Sequence, residues 1–280
     1  MAGEIRSESF ASAALGHTMR YIVYLPDGYQ SSKLHYPVLY LLHGAGGDER
    51  SWQDLGHIEE KASRLIASGA IPPAIIVMPG CPACWWVDGA REHVETAFWS
   101  DLVPLMDVRY RTIETRGGRL IAGLSAGGYG AVRFALRYPD RLAAVAALRP
   151  AVYSGPVPQF SAARAQPPFL GPDGKFSRAA WDKLNYPALL EAYIAQPYRV
   201  PVYLVSGDRD RLGIASETAL LFQRLHERQP DKTEIHVVDG DHSWKVWQAT
   251  IDNAMQYLFQ SADKPRPATR SAGLTEPIRR

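Results

Sequence analysis

The stretch "LIAGLSAGGYGAVRFALRYP", Leu120 to Pro139, sets a serine among glycines inside an otherwise apolar segment. Together with Arg119, its first residues read as a short buried strand, RLIAGL, and Gly127 to Arg137 shows the spacing of an amphipathic helix. Between the two, Gly123-Leu124-Ser125-Ala126-Gly127 fits the pattern G-x-S-x-G. A backbone passing from strand to helix in so few residues turns too sharply for side chains two positions either side of the serine, so glycines sit there and the hydroxyl stands free. The helix that follows brings the positive end of its dipole beneath the same oxygen. An idle serine in a glycine-rich turn would share these residue types, but the strand before and the helix after single out Ser125 as a nucleophile.

Working outward, short apolar runs alternate with helical patterns along the chain. Strands are expected at Arg20 to Pro26, Tyr36 to His43, Ala74 to Pro79, Arg119 to Leu124, Leu142 to Leu148, Val200 to Gly207 and Glu234 to Gly240. Helices are expected at Ile58 to Ala67, His93 to Met106, Gly127 to Arg137, Ile214 to Arg228 and Ser243 to Gln260. Strands apolar throughout, separated by helices, imply a mainly parallel sheet covered on both faces. Ligand sites of such sheets gather at the C-terminal ends of the strands. One α/β domain is expected over residues 1–261, interrupted at about 151–198 by a Pro-rich, turn-rich insertion that could form a lid or pocket wall. Residues 262–280 carry Pro and charge with little apolar content and are expected to be disordered.

A serine hydroxyl needs a base to take its proton, and the base needs an acid to hold its tautomer. Of eight histidines, His242 in DGDHSW stands after a strand and before the last helix, at the edge where a site would form. His236 lies within a strand, His226, His57 and His93 in helical segments, and His17 and His35 before strands at the opposite edge. VSGDRD supplies two carboxylates, Asp208 and Asp210. Asp210 is favoured because two residues of loop beyond Gly207 let a carboxylate swing back toward the histidine. The chain order Ser, Asp, His is that of the α/β-hydrolase fold. Two backbone amides must meet the developing oxyanion, one from the residue after the nucleophile. Ala126 supplies that one, and Ala45, with Gly46 as the alternative, supplies the other from the HGAGG loop after YPVLYLLH. His43 is expected to buttress this loop.

Composition narrows the partners. Lys and Arg total 31 against 29 Asp and Glu, a formal charge of +2 that gives no broad basic face for nucleic acid or an anionic membrane. No apolar run approaches the roughly 20 residues of a membrane helix. The polar N-terminus has no apolar leader, so the default expectation is the cytoplasm, with secretion open if a leader was removed. Cys81 and Cys84 form CPAC, too few thiolates for a structural zinc site. The pair reads either as a redox motif or as a loop pair, free or bridged according to compartment. Trp85, Trp86, Tyr129 and Trp244 fall near the presumed site and are expected to contact substrate, whereas Trp99 and Trp247 read as core. Such a pocket on a neutral surface would suit an uncharged or weakly polar ester.

With these residues in place, the chain resembles the putative esterase family of α/β-hydrolases, which includes esterase D (S-formylglutathione hydrolase), feruloyl esterases and the antigen 85 mycolyltransferases. The likeness runs from about Met19 to about Phe259 and rests on YLPDGY, LLHGAGGDERSW, ETAFWSDLVPLMDVRY, GLSAGGYGA, SGDRD and GDHSWKVW. It implies a serine carboxylesterase acting on a small-molecule ester through an acyl-enzyme. Ser125 would be nucleophile, His242 base, Asp210 acid, and Ala45 and Ala126 oxyanion donors, with no metal or organic cofactor. An acyltransferase or thioesterase would use the same triad. A non-catalytic binding protein of this fold is the reading from another class.

Overall fold

Successive side chains of a strand leave on opposite faces, and in this computed structural model, which describes residues 3–81 and 84–268, the two sets enter two separate cores. The strands are β1 (Glu4–Ser12), β2 (His17–Leu25), β3 (Leu34–His35), β4 (Val38–Leu42), β5 (Ile75–Pro79), β6 (Arg119–Leu124), β7 (Ala144–Leu148), β8 (Val202–Gly207), β9 (Thr233–Val238) and β10 (Arg266–Pro267). Among the described residues, eight form one sheet in the order β1-β2-β5-β4-β6-β7-β8-β9. β1 and β2, and β2 and β5, are antiparallel; β5, β4, β6, β7, β8 and β9 run parallel.

The helices are α1 (Ser51–Asp54), α2 (Ile58–Ala67), α3 (Val94–Thr96), α4 (Val103–Arg109), α5 (Ala126–Arg137), α6 (Arg178–Leu184), α7 (Pro187–Ala195), α8 (Ile214–His226) and α9 (Trp244–Gln260). On one face of the sheet Tyr40, Val77, Ile121, Val145 and Leu204 meet Tyr129, Val132 and Phe134 of α5 and Leu221 and Leu225 of α8. On the other, Leu39, Ile76, Leu120, Ala146 and Val205 meet Ala62 and Leu65 of α2 and Ile251, Met255 and Leu258 of α9. Each such large apolar side chain contributes about 1.5–3 kcal/mol on burial. Both cores therefore draw on every central strand, which is why those strands are apolar throughout.

Three features depart from the sequence-based expectations. β1 pairs with β2 from Glu4 opposite Leu25 to Ser12 opposite His17. As an edge strand with one face largely in solvent, it carries no continuous apolar run to announce it. The stretch 262–280, expected to be disordered, begins with order: Arg266 and Pro267 pair with His35 and Leu34, and the Asp263 amide donates to the Gly117 carbonyl at 2.8 Å. A two-residue strand of Arg and Pro has no hydropathy signature; residues 269–280 lie outside the described residues. Within the insertion, the short helical pattern that Arg178 to Ile194 shows in the sequence is two helices, broken at Asn185 before Pro187, which cannot continue α6. The insertion is clamped: Glu217 of α8 accepts from Ser154 N–H at 2.8 Å, Ser154 O–H at 2.6 Å and Gly155 N–H at 3.1 Å.

Because the parallel strands share one direction, β4, β6, β7, β8 and β9 end along one rim. The loops beginning at His43, Ser125, Arg149, Asp208 and Asp239 all leave the sheet there.

Candidate active site

At the centre of that rim Ser125 holds φ +54° and ψ −114°, outside the regions open to ordinary residues. Its conformation is over-determined by the backbone: Ser125 N–H donates to Leu148 O at 3.0 Å, and its carbonyl accepts from Tyr129 at 2.9 Å and from Ala151 at 3.1 Å. The flanking glycines are required for space. A Cβ on Gly123 would run into the Gly127 carbonyl, and one on Gly127 into the Leu42 and His43 carbonyls.

The Ser125 hydroxyl lies 2.9 Å from His242 Nε2, and His242 Nδ1 lies 2.7 Å from Asp210 Oδ2. An ionised carboxylate only accepts, so Nδ1 carries the proton and Nε2 is free to receive one from the serine. The His242 side chain is 22% exposed and that of Asp210 has no exposed surface. Burial raises the Asp210 pKa. The His242 hydrogen bond and charge, the Leu212 amide at 2.9 Å and the Arg149 guanidinium together outweigh it and hold the carboxyl below its usual range. Asp208 stands elsewhere: its half-exposed carboxylate accepts from Gly240 N–H at 2.9 Å and shapes the loop before His242. Of the two carboxylates, Asp210 is the one brought to the imidazole.

The loop after β4 packs against the serine, since a Cβ on Gly44 would lie 3.4 Å from Ser125 Cβ. Gly47 N–H closes a turn on Gly44 O at 3.0 Å, leaving Ala45 and Gly46 at its exposed tip. Ala126 is the first residue of α5, so its amide has no partner inside the helix. Beneath the loop, His43 is fully buried: Nδ1 donates to Gly44 O at 2.8 Å, and Nε2 accepts from Cys81 N–H at 3.0 Å. Burial pulls its pKa down to about 4, so it is a neutral strut at pH 7. Cys81 and Cys84 are buried and unbridged; the mutual hydrogen bond and burial push the Cys81 thiol up, away from the thiolate a redox cysteine needs.

Three of the aromatic residues expected to line a pocket are packed core instead. Trp86 has no exposed surface and donates to His43 O at 3.0 Å. Trp85 and Tyr129 are buried and pack edgewise on one another and on Phe169 of the insertion. Trp244 is half-buried between Trp52 and Trp247. Trp247, read from the sequence as core alone, stands edge-on to the His242 ring at 5.1 Å between centroids. A cavity of about 780 Å³ opens beside Asp210 and His242, its walls including Arg209, Arg211, Asp241 and Lys245. These charged walls do not match the aromatic pocket that suggested an uncharged ester. Sequence reasoning also missed Arg149, wholly buried with Nη1 3.8 Å from Asp210 Oδ2; its only signal was an arginine directly after an apolar strand at the rim. Among the described residues, no group of three or more His, Cys, Asp or Glu side chains is arranged to hold a metal ion. No described helix is long and apolar enough to cross a membrane.

A profile of the family described as putative esterase matches residues 12–258. The esterase MT1326 of Mycobacterium tuberculosis is 35% identical over 153 residues, which is 52% of this chain and 31% of that protein. The match thus spans about a third of that relative's length. Among solved structures, a ferulic acid esterase superposes with a TM-score of 0.74 at 23% identity, covering 93% of this chain and 99% of the other. FphF, a fluorophosphonate-binding serine hydrolase of Staphylococcus aureus, superposes with a TM-score of 0.75 at 21% identity, covering 92% of this chain and 99% of the other. At such identities these structures speak to the fold.

Proposed function

The chain belongs to the putative esterase family and has the α/β-hydrolase fold, and from that premise we propose that it is a serine carboxylesterase working through an acyl-enzyme. The observation that carries this reading is the unbroken hydrogen-bonded series Ser125, His242, Asp210 on the strand-to-helix turn. Ser125 Oγ attacks the ester carbonyl while His242 Nε2 takes its proton, and Asp210 stabilises the imidazolium. The tetrahedral oxyanion meets the Ala126 amide and that of Ala45. His242 then protonates the departing alcohol, and a water activated by the same imidazole releases the acid. The name of the mycobacterial relative supports ester hydrolysis, and that of FphF supports a serine nucleophile.

A fluorophosphonate probe and p-nitrophenyl acetate test the assignment. Wild type is expected to label and turn over, and Ser125→Ala to do neither, with kcat down by about 10⁵-fold or more. Asp210→Asn should lower kcat by about 10⁴-fold, whereas Asp208→Asn should stay within about tenfold of wild type. Wild type that neither labels nor turns over would refute the proposal. Adding an alcohol acceptor and measuring acylated product against free acid separates transfer from hydrolysis.

A further inference from the structure

Arg149 directly follows β7, and none of the steps above uses it. Its side chain has no exposed surface, and its backbone holds φ +51°, a left-handed conformation strained for any residue with a Cβ. The surrounding chain enforces that conformation. The Arg149 amide donates to Val205 O at 2.6 Å, and two residues on, Ala151 donates to the carbonyl of Ser125. The guanidinium lies across Gly207 and Gly240: a Cβ on Gly207 would overlap Nη2, and one on Gly240 would lie 3.5 Å from it. The glycines ending β8 and preceding His242 thus leave room for this cation.

Nη1 is 3.8 Å from Asp210 Oδ2, the same oxygen that accepts from His242. Nε, Nη1 and Nη2 form no hydrogen bond among the described residues. What Arg149 brings to this place is therefore charge, and an enclosed cation is costly unless a carboxylate answers it. The charged groups that face it are Asp210 and Asp208 from the β8–α8 loop and Asp241 from the β9–α9 loop. Asp210 is also faced by His242 and, from the insertion, by Tyr153.

We propose that Arg149 is a positioning residue: its enclosed guanidinium fixes the charge and orientation of the Asp210 carboxylate, which in turn fixes the His242 ring. The inference rests on the reading of Ser125, His242 and Asp210 as the hydrolytic array. Burial by itself favours a neutral Asp210, which would bear a hydroxyl proton and leave the imidazole tautomer unspecified. The cation opposes that protonation.

The test is the pH profile of kcat/KM on p-nitrophenyl acetate, whose acidic limb reports protonation of the coupled His242–Asp210 pair. Arg149→Met should move that limb to higher pH by about one unit, since a unit charge at this range is no longer opposing proton uptake. Arg149→Lys, which restores a cation, should return the limb toward wild type. A fall in kcat with the limb unmoved would mean that Arg149 is packing alone and would overturn the inference. A Ser125→Ala protein that still turns over would instead overturn the reading of the array, so the two failures are distinct. If Arg149→Met fails to fold, the double variant Asp210→Asn/Arg149→Met should fold, because neither charge is left alone. A double variant as unstable as the sum of its singles would overturn the inference.

Discussion

His43 acts by staying neutral. Its ring is enclosed with both nitrogens committed, and burial lowers its pKa from 6.5 to about 4. The unfolded chain therefore takes up a proton that the folded one refuses. The stability tied to His43 is whole above pH 6.5 and drains away as pH falls toward about 4. Denaturant unfolding at stepped pH should show a loss of about 3 kcal/mol across that window in wild type and a flatter profile in His43→Gln. Asp210, also depressed, adds a separate loss below its ordinary value of 3.8. That Ser125, His242 and Asp210 meet at one rim could be read from local context, because each stands where a strand gives way to a loop or helix. Arg149 and Trp247 could not. What matters about each is a contact with a residue many positions away, and no local pattern encodes it. Trp85 and Trp86 were misassigned for a related reason: an indole fills a core as readily as it lines a pocket.

The strand-to-helix turn concentrates the strain of the site in one element. Gly127→Ala would set a methyl group against the Leu42 and His43 carbonyls, forcing β4 and its loop away from the serine. A displacement of about 1 Å in such an array costs on the order of 100-fold in rate, so kcat/KM should fall by about that factor. The melting temperature should drop as well. A variant with wild-type kcat/KM would show that the turn has slack. The elements legible in the sequence were those with a continuous apolar run or helical spacing, β2 and β4 through β9 together with α2, α5, α8 and α9. β1 was not, because an edge strand needs only partial apolar character. Nor was the π-helical turn Ala97–Leu102 between α3 and α4, since an extra residue in a helical turn leaves the residue types unchanged.

Across the whole molecule, the segment after α9 returns to the base of the fold. A chain ending at residue 261 loses the β10–β3 pairing and the Asp263 contact with Gly117. It should melt about 2–4 °C below a chain ending at residue 268 if that strap contributes about 1 kcal/mol; equal melting temperatures would show that it contributes nothing. The sheet order puts Ser125 in the middle of the sheet, and His242 just past the strand at the far edge. That arrangement has a consequence in time. A ribosome makes the hydroxyl 117 residues before the imidazole, about 6–23 s earlier at ordinary rates of synthesis. Until β9 has docked, the emerging polypeptide carries the Ser125 hydroxyl without the imidazole it bonds to, so the hydrogen-bonded series is complete only once the last strand of the sheet is in place.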